Sequence, residues 1–164
     1  MNRILHPLIL SLILSLSCQA SAENDSTTVL KIKNEIFLSI LDSVINFEQK
    51  CDYYTSDLNF VISICYDSII SIGSETHITK DYDFYGCFMI KDHTFFVRGI
   101  SLPPSLFSLT DEKIVVEYYD SKETYDPNTG EVTFDIIEDD RFTFWWYKYI
   151  DGEFIFQGRH SYCK

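Results

Sequence analysis

The sequence is poor in the residues that interrupt or loosen folded structure. Of its 164 residues only 6 are glycine and 4 are proline, which excludes collagen-like chains and long flexible linkers. Basic side chains are also scarce, because 13 lysines and arginines face 25 acids and the formal net charge is −12. Binding to nucleic acid phosphates needs a basic surface, so no nucleic acid partner is expected. The acidity fits either solubility or a basic partner.

Motifs for common chemistries are missing as well. The sequence has no phosphate-binding loop, no G-x-S-x-G elbow, no HExxH helix and no dinucleotide fingerprint. No CxxC or Cys/His pair has the spacing of a zinc site. Residues 81–86 have part of a calcium-loop spacing but carry Tyr85 at a ligand position, and residues 126–130 are better explained as a turn. We therefore expect neither a metal nor a cofactor.

No residue is assigned a catalytic role from the sequence. His93 follows Asp92, which could orient an imidazole base, but the pair falls at the tip of a predicted hairpin, where an exposed turn is expected. A glycosidase-like pair of carboxylates stays open as an alternative, because such pairs come together only in the fold.

The one long apolar run lies at the start of the chain. A short basic region that ends at Arg3 is followed by apolar residues from Ile4 to Leu16 and by the small residues Ala20 to Ala22. This is the layout of a secretory signal, so residues 1–22 are expected to be removed. The run of about 13 residues is shorter than the roughly 20 that span a bilayer, which disfavours a permanent anchor. We expect a secreted or periplasmic protein without a transmembrane segment.

A lipid anchor at Cys18 is the alternative to cleavage after Ala22. In bacterial lipoprotein signals a leucine usually stands three residues before the acylated cysteine, and here that position holds Ser15. A protein attached through Cys18 would sit at the cell envelope without crossing the membrane. The departure from the usual pattern makes this the less favoured prediction.

Four cysteines remain after the leader: Cys51, Cys65, Cys87 and Cys163. An even number in an exported chain suggests disulfide bonds, and four cysteines allow three pairings. We weakly favour Cys51–Cys65, which would tie the end of a helix to the next strand, and Cys87–Cys163, which would secure the end of the chain. A catalytic thiol would need a neighbouring base, and no local motif supplies one.

The mature chain predicts one helix followed by a sheet. Residues 23–28 are polar and expected to be flexible, and residues 29–164 are expected to form a single α+β domain. An amphipathic helix is predicted from Val29 to Gln49, because its polar stripe recurs at helical spacing. The stripe consists of Glu35, Ser39, Asp42, Asn46 and Gln49.

Short runs of aromatic and β-branched residues fill the rest of the chain and predict about 6–8 strands. Because strands and helices do not alternate, we expect a curved antiparallel sheet rather than parallel βαβ units. The strands are predicted at 60–66, 69–74, 84–90, 94–99, 113–119, 131–137, 141–150 and 153–160. The order resembles the cystatin-like and NTF2-like architectures. The cystatin loop Gln-x-Val-x-Gly is absent, so the resemblance implies no function.

The last hairpin allows a prediction at the level of single residues. Asp151-Gly152 is a two-residue turn, which pairs Ile150 with Glu153 and fixes the register beyond. One face then carries no charge and is the predicted core face: Trp145, Tyr147, Tyr149, Phe154, Phe156 and Gly158. The other face presents Phe144, Trp146, Lys148, Ile155, Gln157 and Arg159.

Aromatic side chains among cationic and polar ones are typical of binding surfaces. We therefore predict a binding site made by Phe144, Trp146, Lys148, Gln157 and Arg159, unless the helix or a loop covers the two aromatics. The expected function is that of an exported binding protein of inhibitor, immunity or envelope type, whose partner is another protein. The alternative is an enzyme, or a binder of small ligands or carbohydrate, that uses a pocket between helix and sheet.

Overall fold

The fold is described by a computed structural model that covers residues 25–52, 54–56, 58–79, 83–118, 123–125, 129, 132–134, 143–161 and 163. Within these residues the chain forms a helix, α1 (Glu35–Glu48), a short 3-10 turn (Tyr66–Ser68) and ten strands. The strands are β1 (Ser26–Ile32), β2 (Asn59–Ile64), β3 (Ile69–Glu75), β4 (Phe84–Ile90), β5 (His93–Gly99), β6 (Phe107–Val115), β7 (Glu123–Tyr125), β8 (Val132–Phe134), β9 (Phe144–Ile150) and β10 (Glu153–His160).

Eight strands form one mixed sheet in the order β10-β9-β3-β2-β5-β4-β1-β6, and β7 pairs separately with β8. The predicted α+β class and strand number are confirmed, but the expectation of a purely antiparallel sheet is wrong. β2 pairs in parallel with β5, and β1 in parallel with β4. Tight turns specify the hairpins β2–β3, β4–β5 and β9–β10 locally, whereas the joints between hairpins are long-range pairings that no turn determines.

The helix is not the first element of the structure. β1 precedes it, so the prediction of helix from Val29 is wrong for its first six residues, and residues 26–28 are strand rather than flexible. The β-branched Thr27, Thr28 and Val29 suit a strand, and β1 gains backbone partners on both sides, from β6 and β4. Tertiary pairing thus decides the conformation of this segment.

The helix itself begins where its polar stripe begins. Asn34 caps α1, and its side-chain oxygen accepts a hydrogen bond of 2.9 Å from the Phe37 amide. Phe37, Leu41, Val44 and Ile45 are buried against the sheet. The predicted stripe is therefore the solvent side of the helix.

The other strand predictions fall close to the observed elements. The exception is 113–119, because β6 begins six residues earlier, at Phe107. Residues 1–24 with Cys18, the acidic corner 138–140 and most of the 126–130 turn lie outside the described residues. Among the residues that the structure does describe, no helix is long and apolar enough to cross a membrane.

The main core fills the space between α1 and the inner face of the sheet. Stacked rings run across the sheet, with Phe95 lying 4.6 Å from Phe60 and 5.3 Å from Phe88 between ring centroids. Phe37 carries the contact to the helix, since its ring lies 5.1 Å from Phe154 and 5.6 Å from Phe107. The volume between helix and sheet is thus occupied by side chains.

A second, smaller cluster covers the middle of the outer face. Val61, Ile78, Cys87 and Phe96 are buried there, and the segment that contains Ile114 and Tyr118 packs against them. The sheet is thus covered on both faces at its centre. Its β9–β10 edge and the ends of its strands are the parts left for contact with other molecules.

The disulfide pairing differs from the preferred prediction. Cys51 is bonded to Cys163, with 5.1 Å between their Cα atoms, and Cys65 and Cys87 have free thiols. The predicted pairs Cys51–Cys65 and Cys87–Cys163 are therefore wrong. β10 brings the end of the chain back to the end of α1, while Cys87 is buried in the outer cluster and Cys65 is exposed at the end of β2.

Candidate functional site

The last hairpin has the predicted turn and half of the predicted register. Asp151 and Gly152 both have positive φ, +51° and +89°, as a two-residue hairpin turn requires. The pairs from Ile150–Glu153 to Tyr147–Phe156 are confirmed. A bulge at Gln157 then shifts the register, so that Gly158 pairs with Trp146 and Arg159 with Trp145. An edge strand can bulge without disturbing a second neighbour, and the turn gives no signal of it.

The bulge moves Arg159 away from the predicted binding face. Its guanidinium carbon lies 3.9 Å from the centroid of the Phe47 ring, on the helix side of the sheet. Phe144, Trp146 and Lys148 stay together on the outer face, and Gln157 is exposed in the bulge. The structure thus brings three of the five predicted residues together and places Arg159 apart from them.

The two tryptophans distinguish the faces of the hairpin. Trp145 is 4% exposed within the main core, whereas Trp146 is only partly buried, so the choice of core face is confirmed. Trp146 stacks on Phe144 with 6.2 Å between ring centroids. The Phe144 ring lies over Gly73, where an added Cβ would come within 2.6 Å of a ring carbon. Phe144 therefore also has a structural role, since it covers the glycine of β3.

Phe156 departs from the core prediction, because 56% of it is exposed. Its ring lies 5.4 Å from that of Tyr147, beside a groove of about 390 Å³ between α1 and β9. The helix lines this groove with Ile36, Ser39, Ile40 and Ser43. Burial raises the pKa of the Tyr147 phenol, and the positive charge of Arg159 opposes that shift. The inner side of β10 thus borders an open, largely apolar groove.

The two edges of the sheet differ in how they are protected. β6 has three residues, Thr110 to Glu112, opposite the single residue Val29 of β1, and this bulge is followed by Lys113. Bulges and charges are the usual means of preventing an edge strand from pairing with another chain. β10 is regular from Glu153 to Phe156 and carries no charge between Phe154 and Gln157. Among the described strands, β10 is therefore the less protected edge.

A cleft opens at the end of the sheet, beside the tip of the last hairpin. We call it the end cleft; it has an apolar part of about 520 Å³ and a polar part of about 400 Å³. The apolar part is lined mainly by Ile64, Ile70, Ile100, Leu102, Pro103, Pro104, Tyr149 and Ile150. The polar part contains Ser63, Tyr66, Asp83 and Arg98.

The polar part of the end cleft holds a fixed cation. The Arg98 Nε donates a hydrogen bond of 2.9 Å to the Ser63 hydroxyl on the neighbouring strand. Gly99 follows with φ +141° and packs so closely on β2 that a Cβ would collide with the Ile64 carbonyl oxygen. Residues with side chains are strained at this φ, so glycine is needed at the floor of the cleft.

His93 is not at an exposed hairpin tip as predicted, since only 2% of it is exposed. The turn consists of Lys91 and Asp92, and His93 is the first residue of β5. Its Nδ1 lies 2.9 Å from the Leu58 carbonyl oxygen and therefore donates to it, while its Nε2 lies 2.9 Å from the Tyr54 hydroxyl. Both nitrogens are bonded within the protein, so His93 joins β5 to the 54–58 segment.

Other reactive groups are dispersed across the described residues. Burial raises the pKa of Glu75 to about 7, with Arg98 opposing the shift, and burial raises the pKa of the Cys87 thiol to about 11. In the part of the chain that the structure covers, no group of three His, Cys, Asp or Glu side chains could hold a metal.

Sequence reasoning missed the β10 edge and the end cleft. Ile155 and Phe156 could have been noticed as adjacent apolar residues on opposite faces of one strand, and such a pair leaves one of them outside the core. The cleft has no local signal, because it joins residues of β2, β3, β5 and β9. No family model, curated protein or solved structure matches the chain.

Proposed function

We propose that this is an exported protein that works by binding an extended segment of another protein, which adds a strand to the open edge of β10. The observation that carries the proposal is the exposure of Ile155 (48%) and Phe156 (56%) on a regular, uncharged stretch of an edge strand. Strand addition gains affinity from main-chain hydrogen bonds and specificity from side chains on the two faces.

The two faces of β10 would contact alternate side chains of the incoming strand. On the inner side these are Phe156, Tyr147 and the groove beside Ile36. On the outer side Ile155 lies opposite Lys148, and Gly158 lies opposite Trp146, which leaves one edge of the indole uncovered by β10. Trp146, Lys148 and Gln157 of the predicted site would therefore flank the incoming strand. Apolar residues on both faces of that strand fit this surface.

The charge of the protein favours a different chain over a second copy. Two copies would each bring a formal charge of −12, and a short strand pairing buries much less than the roughly 1,200 Å² of a stable interface. A basic partner gains from the same charge. A ligand site between helix and sheet is not proposed, because Phe37, Leu41, Val44 and Ile45 occupy that volume.

Photo-crosslinking tests the proposal. A benzophenone amino acid is placed at Ile155 and, as a matched control, at Leu109, an aliphatic residue exposed on the opposite edge strand. Position 155 is expected to crosslink to one protein in the exported fraction of the source cells, with the attachment inside an extended segment, and position 109 is not. Equal crosslinking at both positions, or crosslinking only to a second copy of this chain, would contradict the proposal.

A further inference from the structure

The two parts of the end cleft form a continuous depression that is separate from the β10 edge. Ile64, Cys65 and Ile100 line both parts. Each part falls within the range of roughly 300–1,000 Å³ that is usual for small-molecule sites. A single ligand can therefore place one end in the apolar part and the other in the polar part.

The polar part contains one positive and one negative side chain. The Arg98 guanidinium, held on Ser63 through Nε, is the type of group that binds carboxylates best. Asp83 is exposed on the same wall and can accept hydrogen bonds from an ammonium group. A purely anionic ligand would meet Asp83 and a purely cationic one would meet Arg98, whereas a ligand with both charges avoids like-charge contact.

The apolar part favours a bulky hydrocarbon group. Ile64 and Ile70 are buried at its base, and Ile100 and Ile150 remain 51% and 40% exposed at its rim. A ligand side chain that covers these residues removes their apolar surface from water, which is favourable by about 25 cal/mol per Å². Asp151 is the charged residue of this part.

We propose that the end cleft binds an α-amino acid with a large apolar side chain. The ligand carboxylate lies on Arg98, its ammonium group on Asp83, and its side chain in the apolar part between Ile64 and Ile150. Neither family resemblance nor the proposed strand addition is needed for this assignment. It follows from two opposite charges at one end of a depression whose other end is apolar.

Cys65 provides a direct readout, because its exposed thiol lines both parts of the cleft. The rate of Cys65 alkylation by iodoacetamide is measured with and without L-phenylalanine or L-leucine, and the thermal midpoint is measured in parallel. Cys87 is buried and reacts only on unfolding. A Cys65→Ser variant identifies the part of the labelling that belongs to this thiol.

The expected result is that both amino acids slow alkylation several-fold at saturation and raise the thermal midpoint. N-acetyl-L-phenylalanine, which lacks the ammonium group, and L-phenylalaninamide, which lacks the carboxylate, should bind at least about tenfold more weakly. In Asp83→Asn the advantage of L-phenylalanine over its N-acetyl derivative should disappear. Asp92→Asn, a control at an exposed turn, should keep it.

Two results would overturn the proposal. One is an unchanged alkylation rate and thermal midpoint with either amino acid at concentrations up to about 10 mM, far above the affinity of a useful site. The other is equal protection by L-phenylalanine, its N-acetyl derivative and its amide, since that would show an apolar crevice without recognition of the two charges. Loss of β10 binding to a protein partner would affect neither measurement.

Discussion

At the scale of single residues, polar side chains on the sheet are used to fix the structure. His93, Glu75 and Arg98 lie on three different strands, and each is partly or fully removed from solvent. A buried polar group costs stability unless its hydrogen bonds are made or its charge is lost. His93 meets this requirement with two hydrogen bonds, and Glu75 meets it by holding its proton more tightly.

Glu75 makes stability depend on pH in a defined direction. Its pKa rises on folding from 4.5 to about 7 because the carboxyl group is desolvated. The folded protein then binds the proton more tightly than the unfolded chain, so stability falls as pH rises from about 4.5 to about 7, by at most about 3 kcal/mol. Glu75→Gln should unfold at a higher urea concentration than the wild type at pH 8 and at a similar one at pH 4.5.

The exposed Glu112 of β6 provides the control for that measurement. Glu112→Gln should leave the pH dependence of the urea midpoint unchanged. A wild-type midpoint that rises between pH 5 and 7 in step with that of Glu75→Gln would show that the Glu75 carboxyl is not desolvated.

The hydrogen bond between Tyr54 and His93 should contribute measurably to stability. Tyr54→Phe leaves the buried Nε2 acceptor without its donor, which costs about 1–3 kcal/mol. Tyr85→Phe removes a hydroxyl that donates to the Gly99 carbonyl oxygen at the surface, and it should cost less than about 1 kcal/mol. Equal losses for the two variants in urea unfolding would contradict the structural role given to His93.

At the scale of elements, patterning predicted those parts that depend on local sequence. The polar stripe of α1 and the Asp151-Gly152 turn are local signals, and both are confirmed. β1 was missed because residues 26–32 obtain their conformation from pairing with two distant strands. The bulge at Gln157 was missed because a two-residue turn fixes register only until an extra residue is inserted. That residue decides where Arg159 lies, and with it the membership of the predicted site.

The helix should depend on packing much more than on its own helical propensity. Phe37 packs its ring against both Phe154 and Phe107, and its replacement by alanine should cost about 3–5 kcal/mol. Leu38, the next residue, is 40% exposed, so Leu38→Ala should cost less than about 1 kcal/mol. Similar urea midpoints for the two variants would show that α1 is not anchored by Phe37.

At the scale of the whole molecule, the chain is closed by a bond that its sequence left open. Four cysteines allowed three pairings, and the observed pairing depends on the strand order that returns Cys163 to the end of α1. The end cleft has the same origin, since it joins residues from four strands and their connections. Fold class could therefore be read from local patterns, while the pairing of cysteines and the shape of the cleft could not.

The Cys51–Cys163 bond links residues 112 positions apart. In the chain-entropy model a loop of this length stabilises by about 4–5 kcal/mol. The double variant Cys51→Ser/Cys163→Ser should therefore lose about 2–5 kcal/mol in urea unfolding, and the reduced wild type should match it. Cys65→Ser, which leaves the bond intact, should behave like the wild type, and a comparable loss in that variant would contradict the observed pairing.

Strand addition at β10 is tested most directly with a synthetic peptide that covers the segment crosslinked at position 155. Its affinity is compared with that of a peptide methylated on the alternate backbone nitrogens that would face β10. The account predicts that the unmodified peptide binds and that the methylated one binds at least about a hundredfold more weakly, because main-chain donors to the edge strand are lost. Equal binding of the two peptides would contradict it, since their side chains are identical.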